Sequence, residues 1–318
     1  MNYFFSKIFG NNRGIALITV ILMVSVLVAL AIEHNRSARA DIYDAANISD
    51  GIALTYIARS GFYGAAALLL KANDEGATTL LDDWANTEAL SVRSREFFDN
   101  GYFVVRVEDE MGKIPLNKLA ESAVFRSTLT RLLSQPEFGL DRAKAEEIVA
   151  SIKDWIDEDN DVTSGGAESS YYLSLDSPYR AKNAPLDCIE ELLMVKGITK
   201  EIFAGTKEKA GLADYVTADG DGLININTAP LLVLRSLSDA ITPSIAQEMD
   251  EYRRNKNSGD LDQAWYRRYE DTLTDIATVN SSYFKIISAG KMNKMEQKIT
   301  SVLARNGKSA KILKWRID

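Results

Sequence analysis

The sequence predicts an α+β fold: a long N-terminal helix packed on a small antiparallel sheet, with a large all-α domain inserted into the sheet. Three observations carry this. Ile15 to Ile32 read IALITVILMVSVLVALAI, without a formal charge, and helical spacing of small and apolar residues continues well beyond them. Strand-like alternation is confined to residues 102–109 and to the chain from 283 onward. Between those strands, from Lys118 to about Ala277, the pattern is mostly helical.

The apolar run spans roughly 27 Å as a helix, close to a bilayer's hydrocarbon thickness. Lys7 and Arg13 precede it, so the short leader stays in the cytoplasm and the remaining chain lies across the membrane. Ile42, Ala45, Ala46, Ser49, Ala53, Tyr56, Ile57, Ser60, Tyr63, Ala67 and Leu70 then recur at three- and four-residue spacing. One continuous helix, half apolar and half amphipathic, is expected over 15–72. Three readings of the terminus compete. A secretory signal would be cut after Ala38-Arg39-Ala40, although its apolar core exceeds the usual 7–15 residues. A plain anchor would stay intact. A leader of residues 1–14 would be cut between Gly14 and Ile15, before the apolar run.

Residues 73–117 form the first part of the sheet domain, with a turn-rich stretch and then a strand, Tyr102 to Asp109, placing Phe103, Val105 and Val107 on one face. Residues 118–277 form the inserted domain, with helices expected at Ala120–Ser134, Leu140–Glu158, Leu186–Val195, Lys200–Phe203, Ala229–Leu237 and Ser244–Asn255. Residues 278–318 complete the sheet with strands at Tyr283–Ala289, Gln297–Arg305 and Lys311–Ile317. The last two flank Asn306-Gly307, a tight-hairpin signal. Leu313, Trp315 and Ile317 alternate with Lys314 and Arg316, giving one dry and one wet face. The insert should enter and leave on neighbouring strands.

Composition narrows function. The net charge is -8, which disfavours non-specific binding to nucleic acid or anionic lipid. One cysteine, Cys188, permits no intrachain disulfide, and one histidine, His34, removes most His-dependent catalysis and His-rich metal sites. No enzyme is expected. A nucleic-acid module is the rival from another class. Asn225-Ile226-Asn227-Thr228-Ala229-Pro230 leading to Tyr252-Arg253-Arg254 resembles half of a helix-hairpin-helix, as does Leu192–Thr199 around Gly197. Such units grip phosphates through backbone amides and nearby cations, but this region is acidic and the turn at 237–243 lacks the glycine pair. The hairpins read as structural.

The acidic stretch from Asp157 to Glu168 places carboxylates Asp157, Asp159, Asp161 and Glu168 at positions 1, 3, 5 and 12 of a twelve-residue loop. Alternating oxygens converging on one ion, closed by a distant Glu, is calcium-type spacing. Val162 stands where an EF-hand needs Gly, and no second ligating helix is evident, so this is a calcium loop of EF-hand-like spacing only. A solvated acidic loop is the plain alternative. Asp219-Gly220-Asp221-Gly222 is a weaker second candidate, since Gly/Asp turns are common on conformational grounds.

Several motifs in order resemble the minor pseudopilin K family of bacterial type II secretion. They are the cut at Gly14, Ile114-Pro115-Leu116-Asn117, Asp154-Trp155-Ile156-Asp157, Gly166-Ala167-Glu168, Tyr171-Tyr172, Pro178-Tyr179-Arg180, Asn183-Ala184-Pro185-Leu186-Asp187, Val195-Lys196-Gly197-Ile198 and Ile224 to Pro230. The resemblance covers nearly the whole chain. It implies a pilin-like stem and sheet, cleavage after Gly14 by a prepilin peptidase, and N-methylation of Ile15. It also implies calcium in the insert, an inner-membrane anchor with a periplasmic C-terminal domain, and assembly with minor pseudopilins I and J on a filament of major pseudopilin. Most pilins carry Glu at the fifth mature residue, where it offsets a neighbouring subunit's terminal amine within the membrane. Counted from Ile15, that residue is Thr19. A subunit without the carboxylate cannot neutralise an amine ahead of it, and with the bulky insert this points to a tip position, initiating or capping assembly for protein export. A minor pilin of a type IV pilus shares the stem and leader and is the nearer alternative; a membrane-anchored helix-hairpin-helix nucleic-acid-binding module is the farther one.

Overall fold

The computed structural model describes residues 12–71 and 76–318. The leader up to residue 11, with Lys7, and residues 73–75 of the sheet domain lie outside the described residues. Helix α1 (Asn12–Lys71) runs without a break, starting three residues before the expected Ile15. The chain through Tyr56 and the chain from Ile57 onward are two compact units.

In the second unit, Ile57, Phe62, Ala65 and Leu69 of α1 form one core with Trp84, with Phe103, Val105 and Val107 of β1 (Tyr102–Asp109), and with strand residues nearer the C-terminus. Their spacing of three to five puts the helical residues on one stripe. Gly61 lets that stripe close on the sheet: a Cβ there would overlap Ser288 Oγ and the Phe103 ring. Ser288 uses the approach to donate to Ala58 O at 2.7 Å. Short α2 (Glu88–Arg93) lies along β1. Its flanking hydroxyls satisfy that outer edge: Val105 N donates to Ser91 Oγ and Phe103 N to Ser94 Oγ, both at 3.0 Å. An edge strand otherwise presents such groups unpaired.

The inserted region follows β1. It contains β2 (Ile114–Pro115), α3 (Ala123–Leu133), α4 (Arg142–Ile156), α5 (Ser169–Tyr172), α6 (Lys200–Ala204), β3 (Val216–Thr217), β4 (Ile224–Asn225), α7 (Leu231–Ser236), α8 (Pro243–Arg254) and β5 (Ala277–Thr278). The helices expected from periodicity are present: α3, α4 and α7 are shorter than expected, α6 runs one residue further, α8 is shifted one residue towards the N-terminus, and Ile189–Met194 is 3-10. Caps set the boundaries: Ser122, Asp141, Thr199 and Thr242 each accept the backbone N–H three residues on. Two parallel ladders, β2–β3 and β4–β5, also run through the region. At two residues each they are too short for periodicity to register. A second core, with Leu129, Leu132, Ile148, Ile152, Trp155, Val233 and Met249, belongs to this region.

The chain returns on β6 (Tyr283–Met292), followed by β7 (Met295–Asn306) and β8 (Ser309–Ile317). The antiparallel order is β1-β6-β7-β8, so the strands that flank the insert are neighbours. The predicted hairpin forms with Asn306 paired to Ser309 and Gly307 in the left-handed region at φ 58°. The expected dry face of β8 is corrected: Leu313 and Ile317 are 40% and 44% exposed. Among its three expected inward residues only Trp315 is packed, edge-on against Phe62 with centroids 4.8 Å apart. The physical reason is position. β8 is the outer strand, and a register shift opposite Val302/Leu303 turns part of it out of line with β7.

At the end of β1, buried Asp109 ties the two regions together. It accepts from Thr228 Oγ1 (2.6 Å), Ser281 Oγ, Asn225 Nδ2 (3.2 Å) and, at its other oxygen, Met111 N (2.9 Å). Burial dominates over these bonds and pushes its carboxyl up to about 6. Asn227 donates to Leu261 O and accepts from Trp265 Nε1 at 2.8 Å. The Asn-Ile-Asn-Thr stretch is thus a set of internal clasps.

Candidate metal centre and membrane anchor

Helix α4 delivers the metal candidate. Its buried Ile152, Trp155 and Ile156 anchor the last turn in the second core, and Asp157 follows as the C-cap with extended backbone. The loop then folds on Asp154, whose side chain is wholly buried. Its carboxylate accepts from Thr163 N at 3.1 Å. A Cβ on Gly166 would overlap Asp154 Oδ2, so glycine is needed for the loop to pass this close. Asp159 Oδ1 accepts from Asp161 N at 2.8 Å, tightening the first turn. Lys196 Nζ reaches Gly165 O and Gly166 O at 3.2 and 3.0 Å and holds the return.

The result brings one oxygen each from Asp157, Asp159 and Glu168 within 4.8 Å of one another. Asp161 is not in that group. It is exposed, and its N–H is spent on Asp159. Glu168 is 2% exposed, and neither of its carboxylate oxygens has a donor. Burial, and then the charges of Asp154, Asp157 and Asp159, push its carboxyl up to about 7. Burial likewise raises Asp154. Lys153 reaches the carboxylate end of the loop: its Nζ lies 2.6 Å from Asp157 Oδ2 and 3.0 Å from Thr163 Oγ1. That leaves Asp157 Oδ1 buried without a partner.

Clustered carboxylates with orphaned, buried oxygens are costly unless a cation lies among them. The donors are all hard oxygens, which suits calcium and its tolerant geometry better than zinc. The residues present therefore fit the ion, with Asp157, Asp159 and Glu168 to hold it. The second candidate does not. Asp219 is taken by Lys314 Nζ at 2.7 Å, and Asp221 Oδ1 accepts from Leu223 N at 3.1 Å. A tethered ammonium stands where an ion would, and it links the insert to β8. Sequence reasoning missed the organising roles of Lys153 and Asp154, and also Asn183, which meets the loop from fifteen residues beyond Glu168. Asp154 and Asn183 both lie within motifs already singled out, but only proximity reveals their parts.

In the other unit, α1 is long and apolar enough by length and composition to cross a membrane, with mean hydropathy 3.1 over an 18-residue window and none of that window buried. Gly14 lies in its first turn, with open space around it, and Ile15 is 50% exposed. Thr19 Oγ1 donates to Ile15 O and Ser25 Oγ to Ile21 O, both at 2.8 Å. The two hydroxyls of the apolar run are thereby satisfied inside the helix, as a hydrocarbon environment requires.

Both arginines of the helix-hairpin-helix-like stretch pair with Asp250. Arg253 is 2% exposed, donating to Ile226 O at 2.8 Å and to Asp250, and Arg254 pairs with Asp250 at 2.8 Å. Arg253 is thus committed inside the fold, while Arg254 keeps an exposed side chain.

Comparison with known proteins agrees with this architecture. Residues 112–217 match the family model described as type II secretion system (T2SS), protein K. The chain is 26% identical to type II secretion system protein K of Aeromonas hydrophila over 332 aligned residues, 96% of each chain. It is 28% identical to the Pectobacterium carotovorum subsp. carotovorum protein of that name, over 77% of this chain and 76% of that one. A relative from Escherichia coli (strain K12) is 29% identical over 61% of this chain and 60% of its own length. Among solved structures, a chain from the GspK-GspI-GspJ complex of the enterotoxigenic Escherichia coli type 2 secretion system superposes with TM-score 0.67 at 24% identity, over 85% of this chain and 97% of that one.

Proposed function

We propose that this chain, which belongs to the type II secretion protein K family and is a minor pseudopilin of that system, caps the pseudopilus tip and starts its assembly. Thr19 is the observation that carries the tip position. Counted from Ile15 it is the fifth residue, it has no carboxylate, and its hydroxyl is turned back onto Ile15 O. An amine from a subunit ahead would find no countercharge there, at a cost of several kcal/mol in hydrocarbon. The partners are the minor pseudopilins I and J, in keeping with the three-chain complex that contains the similar fold, and then the major pseudopilin below. The chain acts by burying interfaces and performs no chemistry. α1 is a single-pass inner-membrane anchor, and the unit from Ile57 onward stands in the periplasm. Calcium, held by Asp157, Asp159 and Glu168, supplies no reaction; it neutralises the loop and fixes its shape.

The test is localisation of labelled subunit on assembled filaments, with the wild type and with Thr19→Glu. Label confined to one end, once per filament, is the expected outcome for the wild type. Repeating label along the shaft at a stoichiometry near that of the major subunit sinks the proposal.

A further inference from the structure

We propose that a groove between α3, the start of α4 and the turn joining α7 to α8 binds a carboxylate, with Arg126 as its main countercharge. The groove holds about 320 Å³, in the size range of small-ligand sites. It shares no residue with the acidic loop after α4.

One face of α3 forms its floor. Arg126, Ser127, Thr130 and Arg131 line it, because residues three and four apart on a helix are neighbours. Arg142, at the start of α4, and Asp239, from the turn before α8, complete the wall.

Arg126 sets the chemistry. Its guanidinium is half-buried, and Nη1 donates to Leu119 O at 2.6 Å and to Ala120 O at 3.2 Å. Those two bonds fix the group on the main chain, and neither acceptor carries a charge. Among the described residues, no carboxylate lies within 4.0 Å of Arg126, and its Nε and Nη2 have no acceptor. The other two arginines of the groove are paired: Arg131 Nε with Asp239 at 3.1 Å, and Arg142 Nε with Glu146 at 2.9 Å. Arg131 is pinned as well, through Nη1 to Ser236 O. A charge held partly away from water without a countercharge is unfavourable, and an anion in the groove would relieve it.

The hydroxyls beside Arg126 are also uncommitted. Ser and Thr on a helix can bond back to the carbonyl four residues earlier, as Thr128 and Ser134 do on α3, at 2.9 and 2.7 Å. Ser127 and Thr130 do not, and among the described residues neither hydroxyl has a partner.

Charge and shape select the ligand. Arg126, Arg131 and Arg142 stand against Asp239 and Glu146, which leaves an excess of one positive charge. That balances a monoanion and not a phosphate dianion. Nε and Nη2 are the parallel donors on one edge of a guanidinium, and such an edge meets both oxygens of a carboxylate. The chain as a whole carries a net charge of -8, so its field repels loose anions and binding has to come from this local arrangement. The carboxylate arrives either on an acidic peptide or as a free small acid.

The experiment titrates full-length protein in detergent, by calorimetry, with acetate, inorganic phosphate, a blocked Gly-Glu-Gly peptide and its Gly-Gln-Gly counterpart. Expected is saturable binding of the Glu peptide and none of the Gln peptide. Arg126→Gln should weaken binding about tenfold or more, the contribution of one charged hydrogen bond, while Arg267→Gln, outside the groove, leaves it unchanged. Acetate binding as tightly as the peptide supports the site with a free acid as its source, and a tighter peptide supports a peptide-borne carboxylate. Phosphate binding more tightly than both overturns the carboxylate assignment. Equal binding of the Gln peptide, no saturable binding at millimolar ligand, or an equal loss in Arg267→Gln overturns the proposal. If Arg126→Gln does not fold, Thr130→Glu decides: its own carboxylate should fill the groove and abolish binding, and wild-type affinity there refutes the site.

Discussion

Glu168 shows how one residue reports the state of its site. Its carboxyl is lifted from 4.5 to about 7 by burial and by neighbouring carboxylates. A carboxyl that holds its proton more tightly when folded adds stability that is complete below pH 4.5 and is lost as pH rises through about 7. A calcium ion held there, as proposed, would compete with that proton, and its affinity would rise across the same window. The expected outcome is that calcium raises the melting temperature far more at pH 8 than at pH 5. Glu168→Gln should abolish the calcium shift and flatten this part of the chelated protein's pH dependence. Thermal melts at the two pH values check both, and equal calcium shifts in wild type and variant would remove Glu168 from the site. The same scale explains Arg253. Its sequence context suggests a phosphate contact, yet the side chain is spent inside, on Ile226 O and Asp250.

At the scale of elements, α1 carries two solvents' worth of pattern in one helix. From Ile15 to Ile32 the large side chains are exposed all round, as suits lipid. From Ile57 to Leu69 a stripe faces the sheet. Gly14 sits on the helix with nothing within 4 Å of the position of a Cβ, so no packing explains a glycine, and a Gly within a helix costs about 1 kcal/mol relative to Ala. The proposed leader cut after Gly14 would account for it. The mature protein recovered from membranes should begin at Ile15, methylated on its amine, by mass spectrometry of the N-terminal peptide. A start at Asp41, or an intact Met1, contradicts the expectation. Gly14→Ala should leave the leader attached without altering α1.

For the molecule from Ile57 onward, the question is how two cores act as one body. Asp109 answers it, because the carboxylate at the end of β1 accepts from Thr228 and Asn225 of the insert and from Ser281 just before β6. Asp109→Ala strands those donors and should cost about 3 kcal/mol. Because the lost bonds join the two cores, calorimetry should resolve two transitions where the wild type gives one. A loss below about 0.5 kcal/mol, the range of ordinary surface changes, would show that the cores are coupled elsewhere.

The sequence by itself determined what depends on local pattern. The apolar run, the alternation in β1, the hairpin at Gly307 and the spacing of Asp157, Asp159 and Glu168 are all written in neighbouring residues, because helix period, strand period and loop chemistry are local. Tertiary structure decided the rest. It left Asp161 outside the carboxylate cluster, with its side chain in solvent. It set the Asn183 amide against the Asp159 carbonyl from a different segment, gave Asp219 to Lys314 across ninety-five residues, and exposed Leu313 and Ile317 by placing β8 at the sheet's edge. In each case the outcome follows from which groups meet after the chain folds back: an orphaned oxygen, a countercharge or a missing covering layer exists only once distant segments share one space.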